Sequence, residues 1–427
     1  MKPLTNTVHK YGFPVVQILL GLTFLFSGFV KVIDPVGSFI KVEDYCIAFG
    51  INIPRMLQYM LAVGQGLVEF ALGASVLLGL WKKKTAWVAF LFMAIMTPFT
   101  LYLAVAHPVS DCGCFGDALK LTNWETFGKN VLLLFFSVVL LRFYNKSAVW
   151  YGKRTSRWCL YWSLVFPLLL SIYGYRHQPV FDFMPFKVGN DLNALTASTP
   201  DSIDYRFMYE KKGVKRSFGI NNLPSAAAGW KYVDRTEVMV REGKKPVIDN
   251  LSILHPTRGD ITKQILNDTS YVFLYVSPTL EFANRSYVDE INNAYQYAAK
   301  NAYAFYGLTG SGKEAIDEWR YEYESPFDFC AADDKLLKTM IRSNPGLLLL
   351  KHGVVIRKWA FMDIPDFNRL DRQLGASRLG QPHPRRWFRV LCLIILVFAF
   401  PLMYFHQLHT GKLALWTHKR VNTHETV

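Results

Sequence analysis

Cysteine and acidic residues are both scarce in this chain of 427 residues. The six cysteines are too few to build a disulfide-stapled scaffold, and no Cys-x-x-Cys pair occurs. Asp and Glu number 33 against 48 Lys and Arg, which leaves a formal net charge of +15. Charged residues make up only 19% of the chain, whereas hydrophobic residues make up 51%. This composition excludes a disordered chain and argues against an ordinary soluble enzyme.

The positive charge is confined to two parts of the chain. Residues 1–180 contain 16 Lys or Arg and 7 Asp or Glu, and residues 376–427 contain 7 and 1. The intervening residues 181–375 contain 25 of each sign. A nucleic-acid binder would carry its basic residues on a folded polar domain, so we expect no nucleic-acid partner. Basic residues beside apolar runs instead indicate contact with a lipid bilayer.

Six apolar runs predict transmembrane helices, because a bilayer core needs about 20 apolar residues in a helix. The runs are 11–30, 56–80, 85–106, one centred on 131–141, 158–175 and 387–405. The fourth run is short, so we expect it to begin near Leu121, with Glu125 and Lys129 reaching the interface. The first run leads into further spans and lacks a small-residue cleavage site, so it is not predicted to be a cleaved signal.

Lysine and arginine in the short loops predict the orientation. Three lysines at 82–84 follow the second span and a basic loop at 146–157 follows the fourth, so both are predicted to be cytoplasmic. The segment 176–386 then lies on the outer side of the membrane. The basic residues before the sixth span oppose this topology, but translocation of a long domain overrides such charges. These opposing residues are Arg385, Arg386 and Arg389.

An α/β pattern begins at about residue 260. Strands are predicted at 271–277, 302–308, 327–330, 347–351 and 354–359, and helices at 284–300, 312–323, 335–343 and 366–374. The predicted units are a four-helix membrane domain, a basic loop with a fifth span, a β-rich segment, an extracytoplasmic α/β domain, and a sixth span with a cytoplasmic tail. Their boundaries are 1–145, 146–180, 181–259, 260–376 and 377–427.

The order βαβαβα, then proline, then ββα resembles the thioredoxin superfamily, in particular its TlpA and peroxiredoxin-like branch. The segment SNPGLLLLKHGVVIRKW carries the resemblance. It implies that Pro345 is a cis-proline that faces a substrate-binding site. The turn that holds Cys-x-x-Cys in active thioredoxins reads SPTLEFA at 277–283, so redox chemistry does not carry over to it. Cys330 is the domain's only thiol, either a buried apolar side chain or a reactive group that presents substrate.

The first four spans resemble the DoxX/MauE group of small membrane proteins. The resemblance rests on FSGFVK at 26–31, on Glu69 in the second span and on DCGCFGD at 111–117, of which CGCFG is the most specific part. The fusion to a thioredoxin-like domain and a last span is similar to a group of Bacteroidota proteins. This resemblance implies a bacterial inner membrane, with residues 176–386 in the periplasm. The DoxX/MauE resemblance implies action with a thioredoxin-like partner on disulfides of an exported protein, and a link to quinone, which is the only cofactor proposed.

Glu69 is a carboxylate inside an apolar span, which is costly and indicates a functional site with a charged partner. Lys31, near the end of the first span, is the candidate partner. Ser27 and Lys31 share one helix face because they are four residues apart, as do Gln65 and Glu69. The pair could handle charge or protons, or it could be a structural ion pair that fixes helix packing.

Cys112 and Cys114 lie on the side that is predicted to be oxidising. A bond between them would close a small, strained ring and would therefore be easily reduced, which suits thiol–disulfide exchange. A bond that only braces the loop is the second alternative. Metal ligation with His107, Asp111 or Asp117 is the third, although Cys-x-Cys lacks the four-ligand spacing of a zinc site.

Two functions of different class follow from these features. The first is a membrane thiol–disulfide oxidoreductase, or a subunit of one, in which Cys112 and Cys114 exchange with substrate thiols and Glu69 and Lys31 handle charge. The second is a non-catalytic accessory protein whose redox-inactive domain holds an exported client, or a partner in a membrane complex, at Pro345. A solute transporter is disfavoured because no inverted repeat is visible.

Overall fold

A bundle of long helices at the N-terminus and a mixed β-sheet towards the C-terminus make up the computed structural model. The described residues are 2–147, 151–198, 202–219, 222–225, 228–241, 245–249, 251–382 and 387–424. Arg385 and Arg386, which oppose the predicted topology, lie outside these ranges.

The N-terminal helices follow the apolar runs of the sequence. They are α1 (Lys2–Ile33), α2 (Pro35–Ala48), α3 (Arg55–Leu77), α4 (Lys82–Ala106), α5 (Asn123–Phe143) and α6 (Lys153–Arg176). Among the described residues, five helices are long and apolar enough to cross a membrane, namely all of these except α2. In lipid a helix satisfies its own backbone hydrogen bonds, which is why such sequence adopts this form.

Helix α2 is absent from the sequence-based prediction. Its first turn is capped by Asp34, whose carboxylate accepts a hydrogen bond from the backbone N–H of Gly37 at 2.8 Å. Pro35 occupies the first helical position, where its missing N–H costs nothing. With 14 residues, α2 is too short to span the bilayer, and it lies between the two spans α1 and α3.

Glycines bring α1 and α3 into backbone contact. A Cβ on Gly28 would lie 2.3 Å from the backbone nitrogen of Phe70, and one on Gly73 would lie 2.3 Å from that of Leu25. Only glycine permits this approach, which is typical of tightly packed membrane helices. The contact matters for function because it sets the distance between the polar side chains of the two helices.

The remaining elements form two sheets. They are α7 (Leu192–Thr196), β1 (Ser202–Lys211), β2 (Val214–Gly219), β3 (Lys231–Arg241), β4 (Leu254–His255), β5 (Gly259–Asp260), α8 (Thr262–Asn267), β6 (Tyr271–Ser277), α9 (Val288–Lys300), β7 (Ala304–Thr309), α10 (Lys313–Tyr323), β8 (Asp328–Ala331), α11 (Asp334–Met340), β9 (Gly346–Lys351) and β10 (Val354–Ala360). The larger sheet has the strand order β10-β9-β6-β7-β8-β4-β5. Strands β6, β7 and β8 are parallel, whereas β9 and β10 form an antiparallel hairpin beside β6.

The large sheet is buried on both faces. Every residue of β6 is buried, which explains its uninterrupted apolar sequence. Helices α9 and α10 pack on one face of the sheet, and the core between them contains Phe273 and Trp319. The other face packs against α8 and α11 and against Phe186 and Leu192, which precede residue 260 in the chain.

The smaller sheet has the order β2-β1-β3 and is antiparallel throughout. Rings of Tyr209, Phe218, Trp230 and Tyr232 contact one another on it. Its described side chains are exposed or half-buried, so the sheet stands apart from the main core.

The helix predicted at 366–374 is wrong. The segment contains only short 3₁₀ turns at Phe367–Arg369 and Leu374–Ala376, and Leu370 between them has an extended backbone. The carbonyl oxygen of Arg372 accepts a hydrogen bond from the Tyr297 hydroxyl at 2.7 Å instead of from a helical N–H. Phe367 and Leu374 are instead buried in the core, and this burial compensates for the helical hydrogen bonds that do not form.

The chain ends in α12 (Trp387–His424), which packs against α6. The indole N–H of Trp162 donates to the carbonyl oxygen of Phe398 at 3.1 Å. Its apolar stretch Phe388–Tyr404 is shorter than the five spans. A sixth crossing therefore remains a prediction.

Candidate functional site

Cys112 and Cys114 form a disulfide in the loop between α4 and α5. Both cysteines are half-buried. Gly113 between them has φ +62°, a backbone conformation that favours glycine, and its backbone N–H donates to Asp111 at 2.9 Å. A Cβ at this glycine would also lie 3.0 Å from the side chain of Lys41. The loop therefore places its disulfide directly against α2.

Helix α2 holds the loop through two side chains that the sequence analysis missed. The ammonium group of Lys41 lies 2.9 Å from the carboxylate of Asp111. The hydroxyl of Tyr45 donates to the carbonyl oxygen of Cys112 at 2.9 Å. Burial, followed by the negative charges of Asp111 and Asp44, raises the pKa of Tyr45. The hydroxyl therefore keeps its proton and remains a hydrogen-bond donor.

Lys31 and Glu69 form a buried ion pair beneath the loop. The Lys31 Nζ atom lies 2.6 Å from Glu69 Oε2, and the two side chains are only 7% and 5% exposed. The ammonium group also donates to Ser27 Oγ at 3.0 Å and to the carbonyl oxygen of Cys114 at 2.9 Å. All three of its protons thus have acceptors, as a buried ammonium group requires.

The carboxylate of Glu69 is equally well satisfied. Its second oxygen accepts a hydrogen bond from the Gln65 side-chain amide at 3.1 Å. The Ser27 hydroxyl lies 2.6 Å from both Glu69 Oε2 and the Cys114 carbonyl oxygen, and its single proton can serve either acceptor. The ion pair and the disulfide loop are therefore one hydrogen-bonded unit.

A cavity of about 160 Å³ opens beside this unit. Lys31, Lys41 and Gln65 form part of its polar wall, and Met96 and Phe99 form part of its apolar wall. Both cysteines line the same space. The arrangement combines a disulfide, two cations and a small chamber, and nearby positive charge stabilises a thiolate.

Lys129 is a further cation of the bundle. Its Nζ atom lies 4.3 Å from the ring centroid of Phe115, in the CGCFG element. Glu125 instead accepts hydrogen bonds from the backbone N–H and hydroxyl of Thr122 in a capping box at the start of α5. The fourth span therefore begins at Asn123, close to the predicted Leu121.

The large-sheet domain contacts the same end of the bundle through Arg342. Its guanidinium group lies 3.0 Å from Asp34, before α2, and 2.6 Å from Asp117, at the end of the disulfide loop. Lys338 lies 2.9 Å from Glu43 of α2. These ion pairs place α2, the disulfide loop and the sheet domain on one side of the helical bundle.

Both basic groups keep their charge at this contact. Burial alone would lower the pKa of Arg342, but the carboxylates of Asp34 and Asp117 outweigh it and raise the pKa. Burial alone would likewise lower the pKa of Lys338, but the hydrogen bonds and charges of Asp334 and Glu43 outweigh it and raise the pKa.

Pro345 lies buried behind the turn at 277–283. The Asn344–Pro345 peptide bond is cis. The Asn344 side chain accepts a hydrogen bond from Ser277 at 2.7 Å and donates to the carbonyl oxygen of Thr279 at 2.8 Å. Its carbonyl oxygen accepts the backbone N–H of Asn284 at 2.9 Å. The polar groups of this turn are thus largely paired within the protein.

Cys330 is remote from solvent and packs in the core of the sheet domain. Its side chain is 0% exposed. Burial, only partly offset by Arg258, raises the pKa of its thiol to about 11. This environment favours the interpretation of a small core side chain over that of a reactive thiol.

The residues proposed as metal ligands are separated by other contacts. The two cysteines are bonded to each other, Asp111 pairs with Lys41, and Asp117 pairs with Arg342. Within the described part of the chain, no three His, Cys, Asp or Glu side chains come together as a metal site.

These features define a multi-pass helical membrane protein with a mixed-sheet domain at one end of its bundle. Residues 9–143, less than half of the chain, match the family "Methylamine utilisation protein MauE". Residues 203–242, which coincide with the three-stranded sheet, match a domain of unknown function, DUF8463. No curated protein matches the chain. The N-terminal bundle is therefore similar to MauE, and the match includes the ion pair and the disulfide loop.

Proposed function

We propose that this protein is a membrane thiol–disulfide oxidoreductase, or a subunit of one, in which Cys112 and Cys114 exchange with thiols of an exported protein. The proposal rests on the hydrogen bond that joins the buried ion pair to the disulfide loop. Lys31 contacts both Glu69 and the Cys114 carbonyl oxygen, so a charged pair is held beside a redox-capable bond. The match to MauE over residues 9–143 covers both the ion pair and the disulfide loop.

The exchange step conserves atoms and electrons. A client thiolate attacks one sulfur of the Cys112–Cys114 bond and forms a mixed disulfide, while the other cysteine leaves as a thiolate and takes up a proton. A second client thiolate then attacks the client sulfur of the mixed disulfide. The client has gained a disulfide, and both cysteines are thiols.

Lys31 and Lys41 act on the leaving thiolate in this scheme. Both cations line the cavity that the cysteines share, so they lower the free energy of a negative sulfur there. Glu69 holds Lys31 in place beside the loop through their ion pair. Lys31 and Glu69 are thus positioning residues for the cysteines.

Reoxidation of the dithiol requires an acceptor for two electrons and two protons, and we propose a membrane quinone, as the DoxX-like elements of the sequence imply. The cavity beside the disulfide fits its ring in size, since an apolar cavity of about 150 Å³ takes up benzene. Met96 and Phe99 would flank the ring, and the second N–H of the Gln65 side-chain amide would provide a hydrogen-bond donor. A quinone bound there would supply the acceptor for the two electrons and two protons of the dithiol.

The orientation proposed from the charges puts this site in the bacterial periplasm. Lysines 82–84 begin α4 at the opposite end of the bundle from the sheet domain. The Lys82 ammonium group donates to the carbonyl oxygen of Ser147, so the two basic loops meet there. Cytoplasmic placement of these loops supports a periplasmic sheet domain in an inner-membrane protein.

Thiol mapping in cells tests the proposal. Free thiols are alkylated, the protein is digested, and the oxidation state of Cys112 and Cys114 is read by mass, with quinone synthesis intact or blocked. We expect both cysteines to shift to the reduced form when quinone is depleted. A double variant, C112S/C114S, should abolish oxidation of exported thiols, whereas C392S is the matched control. Full client oxidation in the double variant would remove the proposal.

An accessory role is the second candidate, and the closed turn at 277–283 favours it. This turn has no cysteine, and Asn344 occupies its hydrogen-bonding groups. A thioredoxin-like domain without chemistry would hold an exported client or assemble a membrane complex. Cross-linking of the full chain followed by purification should then recover a stable protein partner, even from the C112S/C114S variant. Recovery of the chain alone would count against this role.

A further inference from the structure

A second, larger cavity lies between the sheet domain and the outer ends of the helices. Its volume is about 630 Å³. Apolar side chains dominate the helix side, and among them are Phe39, Tyr59 and Tyr175. The sheet domain contributes Phe282 and Ile341. The cavity is distinct from the chamber beside the disulfide.

Helix α2 separates the two cavities. Val36, Phe39 and Ile40 line the large cavity, whereas Lys41 and Tyr45 line the disulfide chamber. Positions three and four residues apart share one helical face, so the two sets belong to different faces of α2. A ligand in the large cavity therefore does not contact the disulfide.

The charge of the large cavity is one-sided. Its described lining residues include three basic side chains and no carboxylate. Two of them, Lys338 and Arg342, are already neutralised by close ion pairs. Among the described residues, Arg55 has a single ionic contact, at 3.9 Å from Glu43, whose other oxygen binds Lys338 at 2.9 Å. Arg55 is thus the least neutralised of the three cations.

Two aromatic rings contact the guanidinium group of Arg55 at the cavity. Its guanidinium carbon lies 4.4 Å from the ring centroid of Phe282 and 5.3 Å from that of Phe39. The side chain is still 40% exposed. Stacking fixes the orientation of the group while leaving its N–H donors free for a planar or tetrahedral oxyanion.

The surroundings of Arg55 identify the source of that anion. Arg55 begins the span α3, and Tyr175 lies near the end of the span α6, so the cavity is at the level of the lipid headgroups. Met56 and Met60 follow on one face of α3 and are 77% and 59% exposed. They provide an apolar surface along which an acyl chain can continue into the bilayer.

We propose that this cavity binds the headgroup region of one anionic phospholipid, with Arg55 as its phosphate ligand. A peptide is the weaker occupant, because the Asn344 carbonyl oxygen and side chain are already hydrogen-bonded within the protein. The lipid would bind here whether or not Cys112 and Cys114 have the redox role proposed for them.

Native mass spectrometry of the full chain in neutral detergent tests the site. The purified protein is titrated with phosphatidylglycerol or with a diacylglycerol of the same acyl chains, which lacks the phosphate. We expect about tenfold tighter binding of the anionic lipid, which is the value of one charge-assisted contact. R55Q should lose this preference, whereas R157Q, a matched change at an exposed arginine, should keep it. I40W, which fills the cavity, should weaken binding of the anionic lipid.

Several results would overturn the proposal. Equal affinity for the two lipids, or an unchanged preference in R55Q, excludes Arg55 as the phosphate ligand. Full competition by glycerol phosphate would show that a free anion, and not a lipid, is bound. Co-purification of a peptide or a neutral quinone that I40W removes would assign the cavity to that molecule. Because each readout is binding, failure here leaves the thiol-mapping test untouched.

Discussion

The ammonium group of Lys31 reaches the carbonyl oxygen of Cys114 across 83 residues of sequence, at 2.9 Å. The same group lies 2.6 Å from Glu69. A charge in the first span is therefore joined to both a carboxylate of another span and the backbone of the disulfide loop. A change in this charge therefore alters the electrostatic energy of the loop, because the interaction is buried and weakly screened.

Replacing Glu69 by Gln should destabilise the protein. The change leaves the buried Lys31 ammonium without a counter-charge, and breaking such a pair costs about 3–5 kcal/mol. The free energy of unfolding in detergent measures the effect. K31M/E69L, which removes both charges, should recover most of the lost stability but not the redox cycling of Cys112 and Cys114. A stable E69Q protein would show that the pair is not energetically coupled.

Replacing Gly28 by Ala should push α1 and α3 apart. The added methyl group would lie 2.3 Å from the backbone nitrogen of Phe70, which cannot move aside without shifting the helix. Overpacking of this kind costs about 1–3 kcal/mol. Thermal unfolding checks the change. G128A is the matched control, because no heavy atom lies within 4 Å of that Cβ position. Equal stabilities of the two variants would contradict the close contact.

Acid should weaken the packing of the segment around Asp182. Burial raises the pKa of Asp182, but the Lys358 ammonium group at 2.8 Å and further hydrogen bonds outweigh it and lower the pKa. A carboxylate with a lowered folded-state pKa adds stability above its unfolded value of about 3.9, and this stability is lost as the pH falls further. Unfolding temperatures across this range should therefore fall more steeply in the wild type than in D182N. Parallel curves would show that Asp182 does not contribute.

Cys330 should resist alkylation in the folded protein. With a side chain that is 0% exposed and a pKa of about 11, its thiol is inaccessible and protonated at pH 8. Mass mapping after native treatment should find it unlabelled, and labelling should appear after denaturation. Cys112 and Cys114, half-buried in their loop, should react once a reductant has opened their bond. Native labelling of Cys330 would restore it as a candidate for client exchange.

Much of the bundle follows from the sequence because lipid imposes one simple rule. Apolar runs form helices, and the isolated charges of Lys31 and Glu69 are stable within them only as an ion pair. The strands of the large sheet are equally plain, since buried parallel strands read as continuous apolar sequence. The structure therefore has these elements close to their predicted bounds.

Other parts of the site depend on contacts that local sequence does not encode. Arg342 binds Asp34 and Asp117, which lie 308 and 225 residues away in the sequence. No periodicity or motif links these residues. Helix α2 was missed because its apolar residues are interrupted by charges, although Asp34-Pro35 is a recognisable helix start. Lys41 and Tyr45 were missed with it. The false helix at 366–374 shows the opposite error, because core packing outweighed a helical pattern there.

The position of α2 has a further consequence, which is thermodynamic. A single helix of 14 residues provides a wall for both cavities, so a displacement that enlarges one compartment must narrow the other. Occupancy of either compartment would then alter affinity in its neighbour by a common factor, because such linkage is reciprocal. The composition of the surrounding bilayer would in this way set how tightly the disulfide chamber holds a ligand of its own.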